Sequence, residues 1–220
     1  MQYKKTKLNQ VKRGHKKAAY DKKTIHAILD ATEICHIAFI YEGRAMVQPI
    51  NFGRKGEYLY IHGSHQNRMT QALMDAGQIT LSVMLLDALK LTRSAFHHSV
   101  NYRSVVVFGK VKELTNPEEK LLGLKTIVNH FVSDRWAHCR TPNDKELLAT
   151  RVLEIKIESA SAKIADQPNS EHKKDLDLDY WAGQIPVKQV YGEPVSASDL
   201  KPGLEIPEHV LAFCRRGETQ

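Results

Sequence analysis

Apolar and polar residues alternate along much of this chain, and the alternation breaks at turn residues. The segments "CHIAFIY" (35–41), "AMVQPINF" (45–52), "YLYIH" (58–62), "QITLSVMLL" (78–86), "YRSVVVFGKVKEL" (102–114) and "TRVLEIKIESASAKI" (150–164) are rich in β-branched and aromatic residues and predict six strands. "EGR" (42–44) and "GRKGE" (53–57) read as turns. In the last strand Leu153, Ile155 and Ile157 alternate with Val152, Glu154, Lys156 and Glu158, so one face is expected to be wet. Gly109 marks a bulge or bend in the fifth strand.

The period shifts to the helical one at a few places. Asp21 is placed to cap a short helix whose Ile25, Ile28 and Leu29 share a face. A helix from about Gln66 turns Met69, Leu73 and Met74 inward and stops at Gly77. Asn116-Pro117-Glu118-Glu119 starts a longer helix, with Leu121, Leu124, Ile127, Val128 and Phe131 on its apolar face. Asn143 caps another through Leu148, and a short one follows Pro207. Strands in near-continuous hairpin order with inserted helices predict a mainly β protein, a small antiparallel split barrel rather than a βαβ sheet.

Charge changes the picture at one end only. Residues 1–23 hold nine Lys/Arg and one acid, so of the net charge of +7 the rest of the chain carries −1. This predicts a basic arm (1–19), a barrel domain (20–165) and a C-terminal extension packing on the barrel (166–220). The arm reads as a solvated, partly ordered leader. No run of 18 apolar residues exists, so neither a spanning helix nor a membrane partner is expected. With no apolar stretch near the start and three widely spaced cysteines, Cys35, Cys139 and Cys214, a reducing, cytoplasmic setting is expected. No GxGxxG or Walker-type loop occurs, and no His/Cys spacing matches a zinc pattern, so no metal is predicted.

The chemistry concentrates in "LYIHGSHQNR" (59–68). A strand that passes Gly63-Ser64 and enters a helix aims backbone N–H groups at one spot, and Ser64, Asn67 and Arg68 add donors. The same pattern also fits a plain helix cap. Pro49 inside the second strand marks an edge or a bulge. If strands two and three pair, "QPIN" and "IHGS" can face one pocket, suited to a planar ring with a phosphate tail. His97 and His98, with Ser99, Asn101, Tyr102 and Arg103, form a polar cluster that reads either as a substrate-side wall or as an exposed loop.

The order of "ICHIAFIYEGRAMVQPINFGRKGEYLYIHGSHQNRM", "NYRSVVVFGKV" and "WAGQIP" resembles the flavin-nucleotide-binding relatives of pyridoxamine 5′-phosphate oxidase, the branch that includes nitroimidazole-resistance reductases. The resemblance runs from about Tyr20 to Pro186. It implies a split β-barrel, a homodimer and FMN at the subunit interface. By position it places the flavin ring along Gln48, Pro49, Ile50 and Asn51. It puts the ribityl chain along Ile61, His62, Gly63 and Ser64, and the phosphate on Asn67 and Arg68. Ser104 would contact the ring, Trp181 would cover part of the pocket, and His62 is the candidate catalytic residue. The Arg-and-His signature that grips pyridoxal phosphate is absent, so vitamin B6 oxidation is not expected. The reading is an FMN-dependent oxidoreductase with small-molecule electron donor and acceptor. Its rivals are a non-enzymatic flavin carrier or sensor whose basic arm binds nucleic acid, and an apo barrel that binds protein.

Overall fold

All six expected strands form in the computed structural model, which describes residues 1–215. In chain order the elements are β1 (Ala18–Ala19), α1 (Lys22–Leu29), β2 (Ile34–Tyr41), β3 (Arg44–Asn51), β4 (Gly53–Lys55), β5 (Tyr58–Ser64), α2 (Arg68–Ala76), β6 (Gln78–Leu91), β7 (Ser99–Leu114), α3 (Pro117–Phe131), α4 (Asp144–Ala149), β8 (Thr150–Ala165), β9 (Gly183–Pro186) and α5 (Glu208–Cys214). Three strands were not expected: β1 in the basic arm, β4 inside a predicted turn and β9 in the tail. Each has two to four residues, too few for an alternation to register.

Every pairing is antiparallel, and the main path is β3-β2-β6-β7-β8-β5-β4. Its two ends, β3 and β4, are joined through the single residue Phe52, which is fully buried. The sheet therefore comes round on itself with no ladder between β3 and β4, which is a split barrel. Two devices bend it. Asp87 sits in a register shift of β6 between Leu86 and Ala88. A second shift falls at Phe108/Gly109 of β7, where a Cβ on Gly109 would come within 2.4 Å of the Lys156 carbonyl oxygen.

The barrel interior is filled by alternate residues of these strands, among them Ile37, Leu59, Ile61, Leu81, Val83, Val105, Val107, Leu153 and Ile155. α1 adds Ile25 and Leu29, and α2 adds Met69 and Leu73. Outside, α3 covers Tyr60, Leu114 and Val152 with Ile127. Val152, expected on a wet face, is therefore dry. Gly123 permits that contact, since a Cβ there would meet Val152 Cγ1 at 2.8 Å.

The basic arm is seated rather than solvated. Tyr3 joins the core and its hydroxyl donates to Glu57 Oε2 at 2.7 Å. Asn9 is buried and its Nδ2 donates to the Ala160 carbonyl at 3.1 Å. β1 pairs with β8 at Ala162 and Lys163, beyond the stretch of β8 that β5 occupies. The arm thus covers an edge that the barrel leaves open. At the other terminus, β9 pairs with the end of β6, and loop 92–98 is tied to 167–171. Lys90 Nζ donates to the Pro168 carbonyl, Asn169 Nδ2 to the Leu91 carbonyl, and Arg93 pairs with Glu171 at 3.0 Å.

Candidate functional site

The break after β5 folds as a helix cap, and the cap is Asn67 rather than Ser64. Asn67 Oδ1 accepts from the N–H groups of Met69 (2.9 Å) and Thr70 (3.4 Å). Ser64 Oγ accepts from Gln66 N at 3.2 Å, and the Ser64 carbonyl from Asn67 N at 3.0 Å. A Cβ on Gly63 would lie 3.2–3.3 Å from Thr70 Cγ2 and Asn67 Nδ2, so the protein's own side chains fill that hollow. Asn67 Oδ1 is thereby committed to the cap, which leaves its Nδ2 as the donor it can offer a phosphate beside the exposed Ser64 and Arg68. The Arg68 guanidinium lies 5.1 Å from the centre of the Tyr41 ring. It is in no ion pair with a carboxylate among the described residues. Ile40, Tyr41, His65, Gln66, Arg68, Gln71, Ala72 and Asp75 line a groove of about 640 Å³ there.

No ladder joins the predicted ring-binding segment to this turn. β3 pairs with β2, whereas β5 pairs with β8 and β4, so "QPIN" and "IHGS" are not neighbours in the sheet. The buried Phe52 links β3 to β4, whose Gly53 pairs with Tyr60 of β5. Gln48–Asn51 occupy the far end of the edge strand β3, opposite Ile37–Ile34. Tyr41 pairs with Arg44 at its near end. At ~3.3 Å per residue, that is roughly 13–23 Å from the Arg68 end. A ligand that touches both ends must be long. β3 has a strand on one side only, so its outer backbone edge is open to a hydrogen-bonding ring.

Strand alternation sorts the remaining predicted residues. Ile61 is fully buried in the core, so its side chain cannot line a ribityl path. His62 points to the opposite face, shared with Tyr60, which α3 covers. Its Nδ1 is buried with no hydrogen-bond partner, and burial holds its pKa below the ordinary histidine range. Pro49 is exposed on the outer face, whereas Gln48, Ile50 and Asn51 are half-buried. Ser104 lies between Met84 and Lys163, with its hydroxyl donating to the Lys163 carbonyl at 3.4 Å. Trp181 is exposed, with its ring edge over Gly183 at the start of β9. His98 Nδ1 contacts the Ser94 carbonyl at 3.2 Å, and His97 meets His172 edge-on at 4.6 Å with its Nε2 buried and unpartnered.

A second and larger cavity, about 950 Å³, was not foreseen. It lies between the end of α1 with the loop to β2, the middle of β6 and the C-terminal extension. Met84, Leu85, Val187, Tyr191 and Phe213 supply apolar wall, and Arg103, Asp87, Glu33 and Lys188 supply charge. Arg103 grips Asp87 through Nη2 at 2.8 Å and Nε at 3.1 Å, which raises the guanidinium pKa. The β6 register shift aims Asp87 at that arginine. Tyr191 donates to Glu33 Oε1 at 2.7 Å and packs on Phe213 with ring centres 4.5 Å apart. One helical turn before Phe213, on the same face of α5, stands His209. Its ring stacks on His138 at 4.2 Å and 19°, and its Nε2 is buried without a hydrogen-bond partner. Burial, then the nearby His138 and Arg135, push its pKa down. The sequence offered one signal for this site. Asp87 and Arg103 are equidistant from the β6–β7 turn, so a hairpin register would have paired them.

Comparison with curated proteins finds no match. Among solved structures, the flavocytochrome Anf3 from Azotobacter vinelandii superposes with a TM-score of 0.88 at 33% identity, over 94% of this chain and 96% of its own. The FAD and heme binding protein from Mycobacterium smegmatis gives 0.84 at 30% identity, over 90% and 97%. A candidate 5-nitroimidazole antibiotic resistance protein from Bacteroides thetaiotaomicron gives 0.57 at 23% identity, over 67% and 86%, and speaks to the fold alone. The family model described as pyridoxamine 5′-phosphate oxidase matches residues 21–164, the whole barrel from α1 to the end of β8. The chain belongs to the pyridoxamine 5′-phosphate oxidase family.

Proposed function

We propose that this chain is a redox protein that binds a flavin nucleotide and a heme. The carrying observation is the agreement, over at least 90% of both chains, with a flavocytochrome and with an FAD and heme binding protein. The flavin would supply hydride and electron chemistry, and the protein binding and orientation. FMN, implied by the family resemblance, and FAD share a ring, a ribityl chain and a first phosphate. The open edge of β3 suits the ring, and Ser64 with Arg68 suits the phosphate. We favour FAD, because the groove past Arg68, floored by Ile40, Tyr41 and Ala72, has room for an adenosine beyond the first phosphate. The outer face of β2, β3 and β6 exposes Ile34, Ile40, Val47 and Met84, and a second copy of the chain fits as its cover.

The heme belongs in the large cavity. Its C-terminal wall lies beyond residue 164, outside the family match, and the two long relatives cover more of this chain than that match does, 94% and 90%. Histidine is the commonest protein ligand in such sites. Among the described residues three imidazole nitrogens are buried without a partner, those of His62, His97 and His209, and only His209 stands on a helix that lines the cavity. An absorbance spectrum of purified protein tests both groups. A flavin band, a Soret band and release of FAD on denaturation are expected. His209→Ala should abolish the Soret band and keep the flavin, while His62→Ala and His97→Ala keep both. A colourless protein that takes up neither FAD nor FMN would reject the reading.

A further inference from the structure

The seated arm carries charge that no acid among the described residues neutralises. Lys4, Lys5, Lys7, Lys12, Arg13, Lys16 and Lys17 are all exposed, and no acid occurs between residues 4 and 17. None of the seven is in an ion pair among the described residues, whereas Lys22 pairs with Glu57. Gly14 lies against Lys163, so the sheet adds a cation to the same face.

Within this charged surface stands one apolar tip. Residues 6–9 form a tight turn: Asn9 Oδ1 accepts from Thr6 N at 2.7 Å, and Gln10 N donates to the Thr6 carbonyl at 3.1 Å. Asn9 is bolted to Ala160, so its neighbour Leu8 is presented outward and is 71% exposed. A rigid turn that offers a leucine from a collar of lysines fits a bilayer surface. The leucine can enter the acyl boundary while the lysines meet lipid phosphates, at ~1 kcal/mol per Lys or Arg. Nucleic acid fits less well. Tyr3 of the arm and Tyr20, which follows it, are buried and cannot stack on bases, and a phosphate backbone gives Leu8 no partner. A surface-docked protein needs no spanning helix, and no helix among the described residues is long and apolar enough to cross a membrane.

We propose that residues 4–17 dock the protein reversibly on an anionic lipid surface, with Leu8 inserted and the surrounding lysines on the headgroups. The test is co-sedimentation of the full chain with phosphatidylcholine vesicles, with and without phosphatidylserine. Binding to the anionic vesicles alone, lost at high salt, is expected. Leu8→Asp should weaken it roughly tenfold or more and leave retention on heparin unchanged, while Lys7→Glu with Lys12→Glu should weaken both. Unchanged melting temperatures show that each variant is folded. Absence of vesicle binding, vesicle binding indifferent to Leu8→Asp, or tighter binding to duplex DNA than to the vesicles would each overturn the proposal.

Discussion

Two helices border the two concavities, and they are held in opposite ways. α2 is capped at both ends, by the Asn67 side chain and by Gly77 in the left-handed region, and it sinks Met69, Thr70 and Leu73 into the barrel. α5 has seven residues, no side-chain cap and no buried residue. The groove beside α2 is therefore fixed by the core before any ligand arrives. The cavity beside α5 is walled by an element whose contacts include two ring pairs, Phe213 on Tyr191 and His209 on His138. A preorganised anion site and an adjustable wall suit different ligands: a small charged group in the first, a large apolar plate in the second.

The largest test of this contrast is in the cores. Leu73→Ala empties a packed site under α2 and should cost about 2–5 kcal/mol of global stability. Phe213→Ala removes a ring pair on α5 and should cost about 0.5–1.5 kcal/mol. Denaturant unfolding measures both. Equal losses would mean that α5 is as much part of the core as α2.

The sequence reveals the barrel because its period is long and regular in β6, β7 and β8, and it reveals α2 because Met69, Leu73 and Gly77 stand at helical spacing. It shows less of the site, for reasons of geometry. Consecutive strand residues face opposite ways, so Ile61 and His62 could never share a pocket wall, and that much was legible in advance. The lack of a ladder between "QPIN" and "IHGS" was not, because it depends on Phe52 turning into the core between β3 and the three-residue β4. Asn67 and Ser64 are both good capping residues, and only the chain path decides which one caps. In the arm, abundant lysine masked Tyr3 and Asn9, the two residues that seat it. The large cavity needs segments 27–33, 84–87 and 186–191, whose proximity no local pattern encodes.

The middle test concerns what the fixed helix holds. Arg68 is exposed and contributes nothing to the core, so Arg68→Ala should leave the melting temperature unchanged. A hydrogen bond to a charged group contributes about 1.5–3 kcal/mol. FAD and FMN should therefore bind roughly ten- to a hundred-fold more weakly, at about 1.4 kcal/mol per tenfold, while riboflavin is unaffected. Equal loss for riboflavin in a fluorescence titration would place the phosphate elsewhere.

The smallest expected effect separates the helices by pH. His209 has a pKa below the ordinary histidine value of 6.5, because its ring is shielded and stands beside His138 and Arg135, with Asp134 opposing them. When α5 detaches, the ring returns to water and to its ordinary value. Between the depressed and the ordinary value the detached helix binds more protons than the docked one. By linkage, docking then strengthens as pH rises through this window and weakens as it falls. α2 presents no histidine, so its opening should not follow that window. Hydrogen exchange resolved by segment, corrected for intrinsic rates, should show α5 amides losing protection from pH 7.5 to about 6, with α2 amides unchanged. His209→Gln should flatten the α5 response while leaving the helix docked. An iron bond to Nε2 would need the same neutral ring, so protection of α5 by added heme should weaken as pH falls through that window. If α5 and α2 lose protection in parallel, α5 opens only with the whole barrel, and the distinction between a fixed helix and an adjustable one fails.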